Sequence, residues 1–191
     1  MKILTLILTT SCFTFCFAQS DLYRYEPSKK NPYGAINPEA PKELADFAPL
    51  IGDNQCKSVT RNGQGGWADT VSVRWRFKYI LDGLAVQDET LKADAKHTTS
   101  IRQYDPVDKK WYVTFFSTTP PFASPGTWKG EKVDGKIILY NEQTAPNGTE
   151  GFYKITFSDI SEKKFSWLGE WVDKTEKFSY PTWYLFCTKK Q

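Results

Sequence analysis

Histidine is nearly absent from this sequence, which leaves little of the usual enzyme chemistry. The chain has one histidine, His97, and no Gly-x-Ser-x-Gly motif for a nucleophilic serine. A zinc site needs three or four ligands, more than the histidine and cysteine content provides. His97 could still join a Ser/His/Asp triad or bind a haem, but a single histidine is more typical of a surface or capping position. We therefore assign no catalytic residue, no metal and no cofactor, and we do not expect an enzyme.

An excess of one charge sign is also lacking. The sequence has 25 Lys and Arg against 22 Asp and Glu, a formal net charge of +3, and the two signs are mixed along the chain. Proteins that bind nucleic acid or anionic membranes concentrate basic residues on one surface. The composition therefore gives no reason to expect a nucleic-acid partner.

Long apolar runs are missing after the first residues. Residues 1–18 combine Lys2, a short apolar run and small residues at Cys16 and Ala18, the pattern of a secretory signal peptide cleaved after Ala18. A lipid anchor on Cys12 or Cys16 is the alternative. Nothing beyond Ala18 approaches the roughly 20 apolar residues of a transmembrane helix. We expect a secreted or periplasmic protein that is soluble and has no transmembrane segment.

Cysteine becomes scarce once that segment is removed, because only Cys56 and Cys187 remain. An even pair in an oxidising compartment predicts a disulfide, and two free, buried thiols are the alternative. The disulfide would close a loop of about 130 residues, worth roughly 4 to 5 kcal/mol in the chain-entropy model. It would also require the first and last strands to be neighbours, as they are in a closed barrel.

Proline dominates the segment that follows the signal peptide. Residues 19–43 have no periodic apolar pattern, and they are interpreted as an N-terminal arm. Four prolines lie there: Pro27, Pro32, Pro38 and Pro41. The next residues can form one or two helical turns with Leu44, Phe47 and Leu50 on one side. This short helical segment could close one end of the domain that follows.

Residues 44–191 alternate between strand patterns and turns. Ten strands are predicted, at 55–61, 67–81, 84–90, 97–104, 110–118, 127–133, 136–141, 150–158, 164–172 and 177–188. Turn dipeptides separate them, including Asp82-Gly83, Asp134-Gly135 and Asn147-Gly148. Asn147 also begins a glycosylation sequon, but the dipeptide favours a type I′ turn. Ten successive strands with short connections predict an all-β fold, an antiparallel up-and-down barrel.

Two of these turns predict strand register. A two-residue loop at Asp82-Gly83 places Arg76 opposite Glu89, and a loop at Asp134-Gly135 places Lys132 opposite Ile137. The strand 67–81 is far longer than the usual five or six residues, so it must bend around the barrel or break at a bulge. Apolar and basic residues alternate within it, which predicts an apolar face toward the interior.

Several segments resemble a known architecture. They are "ADFAPLIGDNQCKS" from Ala45, the "LDG" turn after an alternating aromatic strand, "RQYDPVDKKWYVTFF" from Arg102, and the aromatic last strand. Together they resemble the lipocalin-like (calycin) β-barrels, in particular a family of secreted bacterial domains of unknown function. The Gly-x-Trp that opens many calycin barrels appears here as Gly52-Asp53-Asn54. The resemblance implies a barrel of eight or ten strands with an internal cavity, and it implies no particular ligand.

Aromatic residues, 16% of the chain, are the strongest functional signal. Most of them are explained by packing, but a cavity lined by aromatics with a few polar anchors would suit a small apolar ligand. The ligand-binding candidates are Trp75, Phe77, Tyr79, Arg102, Tyr104 and Tyr184. Arg102 could hold a ligand carboxylate bidentately, or it could point outward into water.

Two functions of different classes follow from these observations. The first is a secreted or periplasmic binding protein that holds a small hydrophobic ligand in a barrel cavity. The alternative is a carbohydrate-binding β-sandwich module that uses surface aromatics as stacking platforms. An enzyme acting inside the cavity ranks third, because the sequence offers no convincing acid/base pair.

Overall fold

The structure is a computed structural model that describes residues 22–118 and 126–190. Its ten strands form one closed antiparallel barrel in which each strand pairs with the next along the chain, and the last pairs with the first. This confirms the predicted all-β barrel, and a closed ten-stranded barrel is consistent with the calycin resemblance. The predicted signal peptide, residues 1–18, lies outside the described residues.

The observed strands match the ten predicted ones with small changes at their ends. They are β1 Gly52–Thr60, β2 Val71–Ile80, β3 Ala85–Lys92, β4 His97–Asp105, β5 Lys110–Ser117, β6 Gly126–Val133, β7 Lys136–Thr144, β8 Glu150–Ser158, β9 Lys164–Asp173 and β10 Ser179–Lys189.

The hairpin turns at Asp82-Gly83 and Asp134-Gly135 set the strand register as predicted. Arg76 lies opposite Glu89, and Lys132 lies opposite Ile137. Asp82, Gly83, Asp134 and Gly135 all have φ between 49° and 78°, as a type I′ turn requires. At the third turn only Gly148 has positive φ. The predicted type I′ turn is therefore wrong there, and the amide of Gly148 bonds instead to the carbonyl of Ala145.

The long predicted strand 67–81 is broken. Trp67 makes only an isolated bridge with Arg61, and regular pairing begins at Val71. The pairing shifts by one residue across the break, since Arg61 pairs with Trp67 whereas Ser58 pairs with Val71. One extra residue on one strand is the signature of a β-bulge.

A short helix closes one end of the barrel. It is a 3-10 helix over Lys42–Leu50, and its Leu44, Phe47 and Leu50 side chains are completely buried, as predicted. The Phe47 ring packs edge-on against Trp111 at 4.8 Å between ring centroids. The Trp111 indole donates a hydrogen bond to the Asp46 carboxylate at 3.1 Å. We call this helix the plug.

Asn54 occupies the position at which the calycin pattern has tryptophan. Its side chain is 1% exposed, and its amide nitrogen donates to the carbonyls of Leu50 and Trp75 at 2.9 and 3.1 Å. The residue therefore ties the end of the plug to β2 by hydrogen bonds, where the family pattern would use a large ring.

The N-terminal segment 22–41 packs against the β2–β3 hairpin. The Tyr25 amide donates to the Asp82 carboxylate, and the Asp82 amide donates to the Glu26 carboxylate, at 2.9 and 2.6 Å. Gly83 is required at the contact, because a Cβ there would lie 2.3 Å from the carbonyl oxygen of Ala35. The division into an arm at 19–43 and a barrel domain at 44–191 stays a prediction.

The disulfide between Cys56 and Cys187 is present, as predicted. The two residues lie directly opposite each other in the β1–β10 ladder, and both are 2% exposed or less. Because β1 and β10 are the first and last strands, this bond covalently fastens the seam at which the barrel closes.

An ionic cluster fastens the other edge of β1 on the outer surface. The Arg74 and Arg76 Nε atoms of β2 each donate to Asp53 Oδ1, at 3.0 and 3.1 Å. The hydrogen bond from Arg74, assisted by that from Arg76, outweighs partial burial and lowers the pKa of Asp53 to about 2. Asp53 therefore stabilises the fold above its unfolded-state pKa near 4.

We expect the disulfide to stabilise the closed barrel strongly. The double substitution Cys56→Ala and Cys187→Ala should lower the free energy of unfolding by roughly 2 to 5 kcal/mol, measured by urea titration of the protein without residues 1–18. Thiol labelling of the unfolded, unreduced protein should find no free thiol. Two reactive thiols, or a loss well under 1 kcal/mol, would contradict the role of the seam bond.

The Asp53 cluster predicts a defined acid sensitivity. Because the folded-state pKa is depressed, the stabilisation is complete above about pH 4 and disappears as the pH falls toward 2. Asp53→Asn should cost about 1 kcal/mol at pH 7, since both arginines are partly exposed and the attraction is screened. In denaturant titrations the difference between the two proteins should be much smaller at pH 2 than at about pH 5. A difference of the same size at both pH values would show that the substitution acts through packing.

Candidate functional site

The barrel interior contains a cavity of about 190 Å³ in the half that lies away from the plug. Inward-facing side chains of nine strands line it. The apolar lining residues are Trp75, Val113, Phe115, Trp128, Leu139, Ile155, Phe157, Trp167, Trp183 and Leu185. The apolar face of β2 therefore borders both a packed core and an open space.

Aromatic rings form a continuous wall from the plug to this cavity. Phe47 of the plug contacts Phe157, and Phe157 contacts Trp75, each at 5.8 Å between ring centroids. The wall continues from Trp75 to Trp167 at 6.3 Å and from Trp167 to Trp183 at 5.1 Å. Aromatic rings at these separations make favourable contacts, so the wall is a continuous packed surface.

The cavity reaches solvent at the end opposite the plug. Inward residues beside the plug, such as Phe77 and Trp111, are completely buried. Inward residues near the other strand ends, including Thr98, Trp128 and Trp183, are partly exposed. A small molecule could therefore enter from this end, which we call the mouth.

An ion pair lies in the cavity wall, deep in the barrel. Asp88 of β3 and Arg102 of β4 both line the cavity, are 2% and 4% exposed, and form a salt bridge. The guanidinium carbon lies 5.3 to 5.9 Å from the ring centroids of Phe47, Phe77 and Phe157. Such rings attract a cation most strongly when water is excluded. Arg102 is thus held by one carboxylate and three aromatic faces.

Several neutral polar groups complete the lining. They are contributed by Thr90, Thr98, Ser100 and Tyr153. The Tyr153 hydroxyl lies 2.9 Å from the hydroxyl of Thr182, and burial raises the pKa of Tyr153. Gly169 makes room for this tyrosine, since a Cβ there would lie 2.4 Å from its hydroxyl oxygen.

Three buried hydrogen-bond donors around the cavity have no acceptor within the described part of the chain. They are Nε1 of Trp75, Nε1 of Trp128 and Nε of Arg102. Buried donors are normally paired, and an unpaired one costs roughly 1 to 3 kcal/mol. Their concentration at one cavity marks it as a place where an acceptor from outside the chain would be favourable.

The predicted ligand-binding residues divide into three groups. Trp75 and Arg102 line the cavity. Phe77 and Tyr79 are 0% and 5% exposed inside the barrel, but they lie nearer the plug and do not line the cavity. Tyr104 also lies near the plug, with its ring 5.6 Å from that of Trp111.

Tyr184 lies on the other side of the sheet. Its ring packs against Trp67 at 5.1 Å and stacks on the exposed Phe186 at 6.1 Å. Strand alternation explains the position, because Cys187 faces inward and a residue three positions away must face outward. The structure therefore does not bring Tyr184 together with Arg102.

Sequence reasoning missed Asp88, the partner of Arg102. The signal was available in the hairpin at Asp82-Gly83, which correctly places Glu89 opposite Arg76 on the outer face. Alternation then places Asp88 on the inner face. A carboxylate that faces a barrel interior needs a cationic partner. Arg102 was already a candidate for an inward-facing cation.

A second, shallower pocket of about 720 Å³ lies at the rim of the mouth. The β9–β10 hairpin contributes Trp171, Asp173, Phe178 and Tyr180 to its lining, and the β7–β8 hairpin contributes Gln143 and Asn147. Trp171 pairs in register with Tyr153, a residue of the inner cavity. The rim pocket therefore adjoins the mouth.

Residues 22–118 and 126–190 contain neither a metal-binding cluster nor a membrane-spanning helix. No group of three or more His, Cys, Asp or Glu side chains there is arranged to hold a metal ion. No helix in the same residues has the length and apolar character needed to cross a membrane.

We expect the Asp88–Arg102 pair to behave as a desolvated ion pair. Arg102→Met should lower the free energy of unfolding by about 3 to 5 kcal/mol, because it leaves a buried carboxylate without a partner. Adding Asp88→Leu should restore most of that loss, since an apolar pair of similar volume needs no compensation. Arg76→Met on the outer face, the control, should cost at most about 1 kcal/mol. Equal losses from both arginine variants in urea titrations would contradict the burial of the pair.

The sequence matches no protein-family model and no curated protein. The barrel, the plug and the cavity with its ion pair are thus the observations on which a function can be argued.

Proposed function

We propose that this protein binds a small, mostly apolar molecule inside its barrel. The observation that carries the proposal is the cavity of about 190 Å³, walled by aromatic rings, reached from the mouth, and containing a buried ion pair. Binding sites for small molecules typically combine apolar walls with a few placed polar groups. The aromatic wall would supply affinity, and the polar groups beside Asp88 and Arg102 would fix orientation.

The cavity size limits the ligand. An apolar protein cavity of about 150 Å³ takes up benzene, so a space of about 190 Å³ suits a molecule of roughly six to ten non-hydrogen atoms. Sites for drug-sized ligands are larger, at about 300 Å³ or more. We therefore propose a single-ring compound or a short-chain molecule, with any longer part extending through the mouth.

The site is preorganised by covalent and packing constraints. The Cys56–Cys187 bond fixes the barrel seam, and the plug fixes the floor through Phe47 and Asn54. A ligand that enters such a cavity loses its own freedom but need not order the protein as well. This rigidity favours stable retention of a ligand.

We place the protein outside the cytoplasm, in a secreted or periplasmic location. The pattern of residues 1–18 supports this proposal, and the disulfide is typical of an oxidising compartment.

A second candidate function is carbohydrate binding at the rim pocket. The closed barrel excludes the β-sandwich form of this hypothesis. The rim pocket still combines the Phe178 and Tyr180 rings, 56% and 42% exposed, with the polar side chains of Gln143 and Asn147. Exposed rings beside amides are suited to the apolar faces and hydroxyl groups of a sugar. The inner cavity is favoured because it is enclosed and contains buried groups that a ligand would satisfy.

Native mass spectrometry can test whether the protein carries a ligand. Protein purified gently from its own source should show a discrete added mass of roughly 100 to 200 Da, in line with the size limit set by the cavity, and that mass should leave on denaturation. An added mass above that range that matches two or more linked hexose units would instead favour the rim pocket.

A matched pair of substitutions locates the ligand. Val113→Phe fills part of the cavity from β5, whereas Thr114→Phe adds the same ring to the outer face one residue away. We expect the first variant to weaken binding at least tenfold, or to lose the carried mass, while it remains folded by circular dichroism. The second should bind as the unaltered protein does. Equal retention by both variants would remove the inner cavity as the site.

A further inference from the structure

We infer that the ligand group facing Arg102 is an uncharged hydrogen-bond acceptor, such as a ketone, ester or ether oxygen, and not a carboxylate. This inference rests on the proposed function and names the chemical class that the inner cavity selects. It opposes the expectation from sequence that Arg102 holds an anionic ligand.

The charge balance of the cavity is the first argument. Asp88 and Arg102 carry opposite charges, are at most 4% exposed, and are already paired. They are also the only ionised side chains among the described residues that line the cavity. A carboxylate at this depth would add a negative charge with no free cation to balance it, and burial of an unbalanced charge is strongly unfavourable.

The geometry around Arg102 is the second argument. Its guanidinium is shared between Asp88 and the faces of Phe47, Phe77 and Phe157. The Nη1 group of Arg102 already contacts the Asp88 carboxylate. A second carboxylate on the same guanidinium would therefore lie close to the first and would be repelled by it.

The unpaired donors are the third argument. Arg102 Nε, Trp75 Nε1 and Trp128 Nε1 are all buried donors without an acceptor among the described residues. A neutral oxygen can accept from such donors without bringing a charge into the barrel. A ligand with a carbonyl or ether oxygen would supply an acceptor for these three donors.

An anionic group, if the ligand has one, belongs at the mouth. Lys92 is the last residue of β3, at the mouth, and is partly exposed. Its ammonium lies 5.3 Å from the ring centroid of Trp183, which lines the cavity. A bound ligand would therefore have one orientation. Its neutral acceptor would lie at the buried end of the cavity, its apolar ring in the middle, and any negative charge at the mouth.

Two probes of nearly the same shape test this inference. Acetophenone and benzoate differ by a methyl group in place of one charged oxygen, and both are within the size range set by the cavity. Calorimetric titration at pH 7 should give acetophenone at least a tenfold advantage in Kd. Lys92→Gln removes the cation at the mouth, and in that variant the advantage should increase.

Asp88→Asn should shift the preference toward benzoate. This substitution removes the charge that balances Arg102 while it keeps the size of the side chain, so benzoate should gain at least tenfold relative to acetophenone. If Asp88→Asn does not fold, the comparison of the unaltered protein with Lys92→Gln decides the question alone.

The outcomes separate the inference from the proposed function. Benzoate that binds as well as acetophenone, in the unaltered protein and in Lys92→Gln, would overturn the neutral-ligand inference and leave a binding barrel in place. Failure of both probes to bind would overturn the proposed cavity site, and the inference with it.

Discussion

Closure of the sheet is the constraint on which the rest of this structure depends. Because β1 pairs with β10, no strand among the described residues has a free edge, and side chains along the strands alternate between the interior and the outer surface. The Cys56–Cys187 bond lies at that seam and keeps both of its residues inside. What the protein can enclose is then decided by which side chains occupy the inward positions.

Local sequence signals predicted much of this arrangement, because hairpin turns act over a few residues. Asp82-Gly83 and Asp134-Gly135 gave correct registers because both residues of each dipeptide adopt the positive φ of a type I′ turn. Inward positions follow from register by alternation, so Trp75 and Arg102 could be placed and Asp88 could have been. Tyr184 was misplaced for the opposite reason. The inward position of Cys187 determines that Tyr184 faces outward. The sequence interpretation used Cys187 to infer closure of the barrel but not to orient the side chains of β10.

The size and lining of the cavity could not be predicted, because they depend on side chains from strands that are distant in sequence. Whether the space beside Trp75 is filled depends on residues such as Val113, Leu139 and Leu185, and on the stagger between the strands that carry them. The plug shows the same limit. Its apolar side was visible in the sequence, but the role of Asn54 in tying it to β2 depends on a contact with Trp75, 21 residues away.

The buried ion pair gives the barrel interior a polar feature that packing and stability do not require. Replacing a buried pair by apolar residues of similar volume is often neutral, or stabilising by about 1 to 4 kcal/mol, so stability alone does not explain Asp88 and Arg102. Three rings already surround the guanidinium and could pack against an apolar side chain equally well. The pair instead places a strong local dipole in the wall of an aromatic cavity while adding no net charge. Such a dipole can orient a neutral polar ligand and disfavour an ion. The proposed ligand site therefore accounts for a polar pair in a mostly apolar interior.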